Sequence, residues 1–258
     1  MSYPDLQITF LGTGTSGGVP MIGCNCYVCT SLNEKDKRFR SSILVQSKNT
    51  NLVVDTTPDF RSQMLRENVK KLDAVLFTHP HKDHVAGLDD IKAYNFFQQK
   101  SIDVYANELT QNALHREFPY IFAHDKYPGI PSVNLHTISE KDFMVGDIPV
   151  TPILVYHLKM PVLGFRFGDF TYITDANRID EEEKEKIKGS KILVVNALRK
   201  KEHISHFNLQ EAVDLVKELK IPKAYFTHIS HQLGLHDEIN AELPPNIKLA
   251  WDGLKLKV

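Results

Sequence analysis

Apolar positions fall into short runs separated by polar punctuation, and their spacing alternates between the strand and helix periods. Residues 6–11, 43–46 and 52–55 are rich in β-branched and aliphatic side chains and predict short strands. Pro58 suits the first turn of a helix reaching about Glu67, because a proline there gives up no intrahelical hydrogen bond. Residues 74–78 form a compact run of the buried-strand kind, followed by a helical pattern over 88–98 and a strand at 103–106. Residues 119–131 carry three prolines and predict an irregular surface loop. In the second half, 150–156, 164–167 and 171–174 read as strands, with Gly168-Asp169 turning the last hairpin. Residues 180–188 are a charge run fitting a solvated helix face, and 192–196 is another buried-type strand. Asn208 and Glu211 have capping-box spacing ahead of an apolar stripe of Leu209, Ala212, Val213, Val216 and Leu219. A strand at 224–227 closes the pattern. No linker, repeat or low-complexity segment divides the chain, so the expectation is one α/β domain over residues 1–258.

Composition adds little to that picture except in two residue types. The chain has 258 residues, with 31 Lys and Arg against 32 Asp and Glu, 42% hydrophobic and 24% charged. Such a chain buries an ordinary core and is not disordered. The formal charge of −1 argues against an overall electrostatic grip on nucleic acid. The N-terminus has no basic, apolar signal-like stretch, and no run approaches the roughly 18 apolar residues of a membrane span. A cytoplasmic location and no membrane partner are therefore expected. The exceptional numbers are 12 His and 3 Cys. Three cysteines make no disulfide framework, and in a reducing compartment they are free thiols or metal ligands.

The chemistry concentrates in Thr78-His79-Pro80-His81-Lys82-Asp83-His84, where four potential ligands occupy six positions directly after a predicted strand. Pro80 biases His79 toward an extended backbone, which lets side chains two apart converge. Imidazole and carboxylate suit zinc, iron or manganese, and a cluster this dense has ligands for two ions.

This HxHxDH run resembles the signature of the metallo-β-lactamase superfamily of binuclear hydrolases. The resemblance implies a four-layer αββα sandwich. It also implies the remaining ligands at strand ends: His157 after ILVY, Asp175 ending TYITD, and His228 after AYFT. By that likeness His79, His81 and His157 would hold one ion, Asp83, His84 and His228 the other, and Asp175 would bridge them. A hydroxide shared by the two ions would attack phosphorus. Asp55, ending LVVD, matches a position that supports ligand histidines, and is equally a plain strand-end turn.

Three further features narrow the resemblance. Cys24-Asn25-Cys26-Tyr27-Val28-Cys29 holds every cysteine, one ligand short of a structural zinc site. His231 follows His228 by three residues. The run from Gly12 to Pro20 formally contains GxGxxG, but Gly18, Pro20 and the cysteines follow where a dinucleotide site needs a helix, so the cofactor reading is rejected. The combination is similar to the phosphoribosyl 1,2-cyclic phosphodiesterase branch. That likeness implies a structural zinc on Cys24, Cys26, Cys29 and His231, beside two catalytic divalent ions, manganese or zinc. It also implies a catalytic histidine that is not a ligand. His206 matches it through the Phe207-Asn208-Leu209 helix opening, with His203 as the competing choice. His115, His124, His136 and His236 have no matched role.

The expected activity is metal-dependent hydrolysis of a small, cyclic phosphodiester, with Asp83 and His206 in the catalytic machinery. A homodimer is expected by family likeness only. The alternatives are an endoribonuclease of the tRNA 3′-processing type, which the charge balance and the absence of a basic arm disfavour, and a non-catalytic metal-binding protein retaining the fold. Thioester and β-lactam hydrolysis are weaker alternatives.

Overall fold

The computed structural model describes residues 4–125 and 127–258. Among them, strands β1 (Gln7–Gly12), β2 (Ser42–Gln46), β3 (Asn51–Val54), β4 (Ala74–Leu76), β5 (Ile102–Ala106), β6 (Val133–Thr137) and a C-terminal β14 (Lys255–Lys257) form one sheet in the order β14-β1-β2-β3-β4-β5-β6. Strands β7 (Phe143–Val145), β8 (Ile148–His157), β9 (Met160–Phe167), β10 (Phe170–Tyr172), β11 (Ile192–Asn196), β12 (Lys223–Thr227) and β13 (Ile247–Leu249) form the second, in the order β13-β12-β11-β10-β9-β8-β7. Helices α1 (Phe60–Arg66), α2 (Lys82–Val85), α3 (Lys92–Gln98), α4 (Glu108–Glu117) and α5 (Pro119–Phe122) belong to the first half. Helices α6 (Glu181–Ile187), α7 (Leu209–Glu218) and α8 (His236–Glu242) belong to the second.

Strand periodicity explains the layering. Alternate residues of the first sheet, such as Ile8, Phe10, Val45 and Leu76, meet Phe165, Phe167, Tyr172 and Val194 in a core between the sheets. The intervening residues Leu11, Leu44, Val53 and Val75 pack against Phe60, Met64 and Tyr94 on the helical side. Ile153, Val155, Leu193 and Val195 pack in the same way against Ile187, Ala212, Val216 and Ile239. Both sheets are covered on both faces, which is why residues 192–195 of strand β11 read as an unbroken apolar run. The result is the four-layer αββα sandwich. Among the described residues, no helix is long and apolar enough to cross a membrane.

Several elements differ from the sequence reading. The strand expected at 164–167 begins at Met160, because a two-residue turn pairs His157 with Met160. The strand expected to reach Thr174 stops at Tyr172. Helix α1 starts at Phe60, after Pro58. Pro119 opens α5 inside the expected loop, since the first helical position suits proline. The unexpected α4 is capped by Asn107, whose side chain accepts from Thr110 N. The capping box of Asn208 and Glu211 is formed as expected.

The parallel strands bring the site together. β3–β6 run parallel, as do β10–β13, and Asp55, His79, Asp175 and His228 all follow the carboxyl ends of such strands. Gly87 keeps the segment carrying His79–His84 pressed on residues 56–57, since a Cβ there would lie 2.2 Å from Thr57 O.

A buried polar network ties the C-terminal helix to the first sheet. Arg38 donates from Nη1 to Thr13 Oγ1 (2.8 Å) and Ala250 O (2.7 Å), and from Nη2 to His236 Nδ1 (3.1 Å). Burial, and then the Arg38 charge, hold His236 down to about 4. The folded chain therefore keeps His236 neutral while the unfolded chain takes a proton near pH 6.5. Its contribution to stability is complete above pH 6.5 and is lost as pH falls toward 4. Between pH 7 and 4.5, His236→Asn is expected to lose about 2 kcal/mol less stability than the parent in urea titrations.

Candidate metal centre

The site is built on three left-turning strand ends, the ends of β4 and β8, and one short helix. Asp55, Asp175 and His228 have φ of 65°, 56° and 55°, backbone conformations that swing their side chains sharply out of the strand direction. His81 caps α2 with an extended backbone, and α2 carries Asp83 and His84.

Hydrogen bonds from outside fix the rings. His84 Nδ1 donates to Asp55 Oδ2 at 2.7 Å, and Asp55 also accepts from Thr78 N (2.9 Å) and Thr78 Oγ1 (2.8 Å). His157 Nδ1 donates to the Ser205 carbonyl at 2.8 Å. His79 Nδ1 lies 2.9 Å from Thr78 Oγ1. Each ring nitrogen held this way leaves the other free to meet a cation. His79 Nε2, His84 Nε2 and His206 Nδ1 are buried with no hydrogen-bond partner among the described residues.

The free atoms converge. Three overlapping triads, His79–His84–Asp175, His157–Asp175–His206 and Asp83–Asp175–His228, each keep their ligand atoms within 4.8 Å of one another. Asp175 is common to all three. His84 Nε2 is 3.2 Å from Asp83 Oδ2 and 3.3 Å from Asp175 Oδ2, and His228 Nδ1 is 3.1 Å from the same Asp175 oxygen. His81 stands at the exposed edge, its ring 4.6 Å from His79 and 5.2 Å from His157, outside the triads.

The electrostatics call for a cation. Burial alone would raise the Asp175 carboxyl, but His228 and His84 hold it well below its usual range. Burial would likewise empty His84 of its proton, yet Asp83, Asp175 and Asp55 push it well above the ordinary value. A positive charge between Asp83 and Asp175 is what these carboxylates demand, and a divalent ion is the stronger form of it. Histidine nitrogens and carboxylates are a fitting donor set for zinc or manganese.

His206 joins this cluster. Its Nδ1 is 3.8 Å from Asp175 Oδ1, and its ring lies 4.4 Å from His157 and 4.8 Å from His228. His203 is 5.2 Å from His206, half-buried, with Nδ1 toward Ser205 Oγ. Burial, then the neighbouring His228, hold His206 down to about 3.

A second donor set lies beyond His228. Cys24 Sγ and Cys26 Sγ are each 3.3 Å from His231 Nδ1, and Cys29 completes a four-residue group. The Cys29 backbone N–H, and then His231, hold the Cys26 thiol down to about 6, whereas burial pushes Cys29 up to about 11. Three thiols and one imidazole are a structural zinc donor set.

Some participants escape a reading of ligand types alone. Thr15, in the glycine-rich run, places Oγ1 3.2 Å from His228 Nε2. Thr174 donates to Asp175 Oδ2 at 2.6 Å. A threonine precedes the ligand candidate at Thr78-His79, Thr174-Asp175 and Thr227-His228, and that repeat was the available signal. His115, His124 and His136 lie outside both donor sets, and His236 belongs to the Arg38 network.

The sequence profile described as Beta-lactamase superfamily domain matches residues 50–229, and the chain belongs to that superfamily. Within it, the chain stands with the PhnP family: the crystal structure of a new diphosphatase from that family is 40% identical, covering 100% of this chain and 98% of that one at a TM-score of 0.94. An octanoyltransferase from Porphyromonas gingivalis is 37% identical over 97% of this chain, which spans only 51% of that longer protein. Zn(2+)-bound PqqB from Methylobacterium extorquens shares the fold at 20% identity, covering 98% of this chain and 100% of that one at a TM-score of 0.79.

Proposed function

We propose that this chain is a metal-dependent hydrolase of small phosphoric diesters and of the diphosphate anhydride linkage named for its 40% identical relative. One observation carries the reading: Asp175 stands at the meeting point of three ligand triads, with the buried, unpartnered His206 nitrogen beside it. His79, His81 and His157 would hold one ion, Asp83, His84 and His228 the other, and Asp175 both. Such a pair would polarise the phosphoryl oxygens and lower the pKa of a water shared between the ions.

The chain's own residues do the rest. Asp55, Thr78 and the Ser205 carbonyl keep the ligand rings from rotating. With its proton affinity this low, His206 enters as a neutral imidazole. It therefore gives a single N–H to a phosphate oxygen as charge develops there, and is not a store of acid. Water adds its oxygen to phosphorus, the ester or anhydride oxygen leaves, and the displaced proton ends on that leaving oxygen. Cys24, Cys26, Cys29 and His231 would hold a structural zinc joining the N-terminal loop to the segment after β12.

Purified protein supplied with manganese or zinc is expected to hydrolyse bis(p-nitrophenyl) phosphate or a cyclic nucleotide. Under the same conditions it should leave an octanoyl thioester, a β-lactam and precursor tRNA intact. Metal analysis is expected to find close to three ions per chain and one fewer in Cys26→Ser. Thioester or tRNA cleavage in place of phosphodiester hydrolysis would overturn the proposal.

A further inference from the structure

Two aliphatic side chains beside the metal centre contribute almost nothing to the core. Leu158, directly after His157, is 51% exposed, and Ile204, two residues before His206, is 75% exposed. Leu158 sits in the two-residue turn between β8 and β9 with φ of 58°, a left-handed conformation that crowds an L side chain and favours glycine. The backbone carries this strain for a side chain that reaches solvent, and strain of that kind gathers at sites that bind.

The two residues are also latched together. Leu158 N donates to Asn177 Oδ1 at 2.8 Å, and Asn177 Nδ2 donates to Ile204 O at 3.0 Å. Asn177 is two residues after Asp175, and its own N–H donates to Tyr156 O at 2.9 Å. Arg178 lies 3.9 Å over the Tyr156 ring, stiffening the same hairpin. One amide thus ties the His157 turn, the Asp175 segment and the His206 loop into a single lip.

We infer that Leu158 and Ile204, spaced by the positioning residue Asn177, form a nonpolar lip that takes the flat face of a nucleobase on the substrate. The reading rests on the phosphodiester hydrolysis proposed above and makes it more specific: the substrate is a nucleoside-bearing phosphate ester and not a bare sugar phosphate. A rigid aliphatic lip gains from covering a heterocycle and gains nothing from a hydroxylated sugar, which keeps its water. Fixing the lip in advance removes the ordering cost that a mobile loop would bring to the same contact.

The test is competitive inhibition of bis(p-nitrophenyl) phosphate hydrolysis by adenosine 5′-monophosphate and ribose 5-phosphate, which share phosphate and sugar and differ in the base. The parent is expected to bind the nucleotide about tenfold more tightly, a contact of about 1.4 kcal/mol. Leu158→Gly, which suits the turn, combined with Ile204→Ser should bring the ratio of the two inhibition constants below about twofold. Asn177→Asp keeps the acceptor for Leu158 and loses the donor to Ile204, so its ratio should fall between parent and double variant. Equal inhibition of the parent by both compounds, or an unchanged ratio in the double variant, overturns the lip while hydrolysis stands. Absence of phosphodiester hydrolysis by the parent overturns the underlying reading, and the lip with it.

Discussion

Asp175→Asn is expected to lower kcat/KM toward a phosphodiester by about a thousandfold or more, with the fold intact. No other residue belongs to all three ligand triads. Asparagine keeps the shape and tolerates the left-handed backbone at φ of 56°, so the change removes charge and little else. His84 and His228, whose nitrogens lie 3.3 Å and 3.1 Å from Asp175 Oδ2, would then face an amide. The cation demand of the cluster falls by one unit of charge. Bound catalytic metal should drop together with activity in elemental analysis, and excess metal should restore only part of the rate. Full activity with full metal content would remove Asp175 from the chemistry.

Asp55→Ala is expected to cost about 3–5 kcal/mol of folding stability in urea titrations with chelator present. The carboxylate is fully buried and accepts from Thr78 N, Thr78 Oγ1 and His84 Nδ1. Its removal strands three donors where water does not reach, and leaves the His84 charge without its inner partner. Affinity for metal should also weaken by about 10–100-fold, because the ring that Asp55 steadies is free to turn. A loss below about 1 kcal/mol would mean that the space collapses and the donors find other partners.

Sequence and structure agree most closely where one physical rule acts alone. Residues 192–195 and 74–76 are apolar without interruption because both faces of both sheets are covered, and they are legible as strands for that reason. The ligand candidates are legible because chemistry restricts them to a few residue types and because parallel strands release them at one end. Edge strands are different. Phe143–Val145, Ile247–Leu249 and Lys255–Lys257 have three residues each, too short for an alternating pattern to stand out from the surrounding chain. Helix Glu108–Glu117 buries only Thr110, Ala113 and Leu114, so its apolar stripe is thin. Contacts made across the fold are not legible at all. Nothing local in Thr15, Ser205 or Asn177 announces His228, His157 or the Leu158 turn, since each meets its partner only after the two sheets have packed.

The ligand candidates are divided between the two sheets: His79, Asp83 and His84 follow a strand of one, while His157 ends a strand of the other and Asp175 and His228 follow two more. Ions seated among them would bind the docked pair of sheets and neither sheet alone. By mass action, free metal at a thousand times its dissociation constant adds about 4 kcal/mol to the docked state. The cations proposed to drive hydrolysis would thus also serve as rivets across the inter-sheet seam, and the availability of metal would set the folding cooperativity of the whole chain.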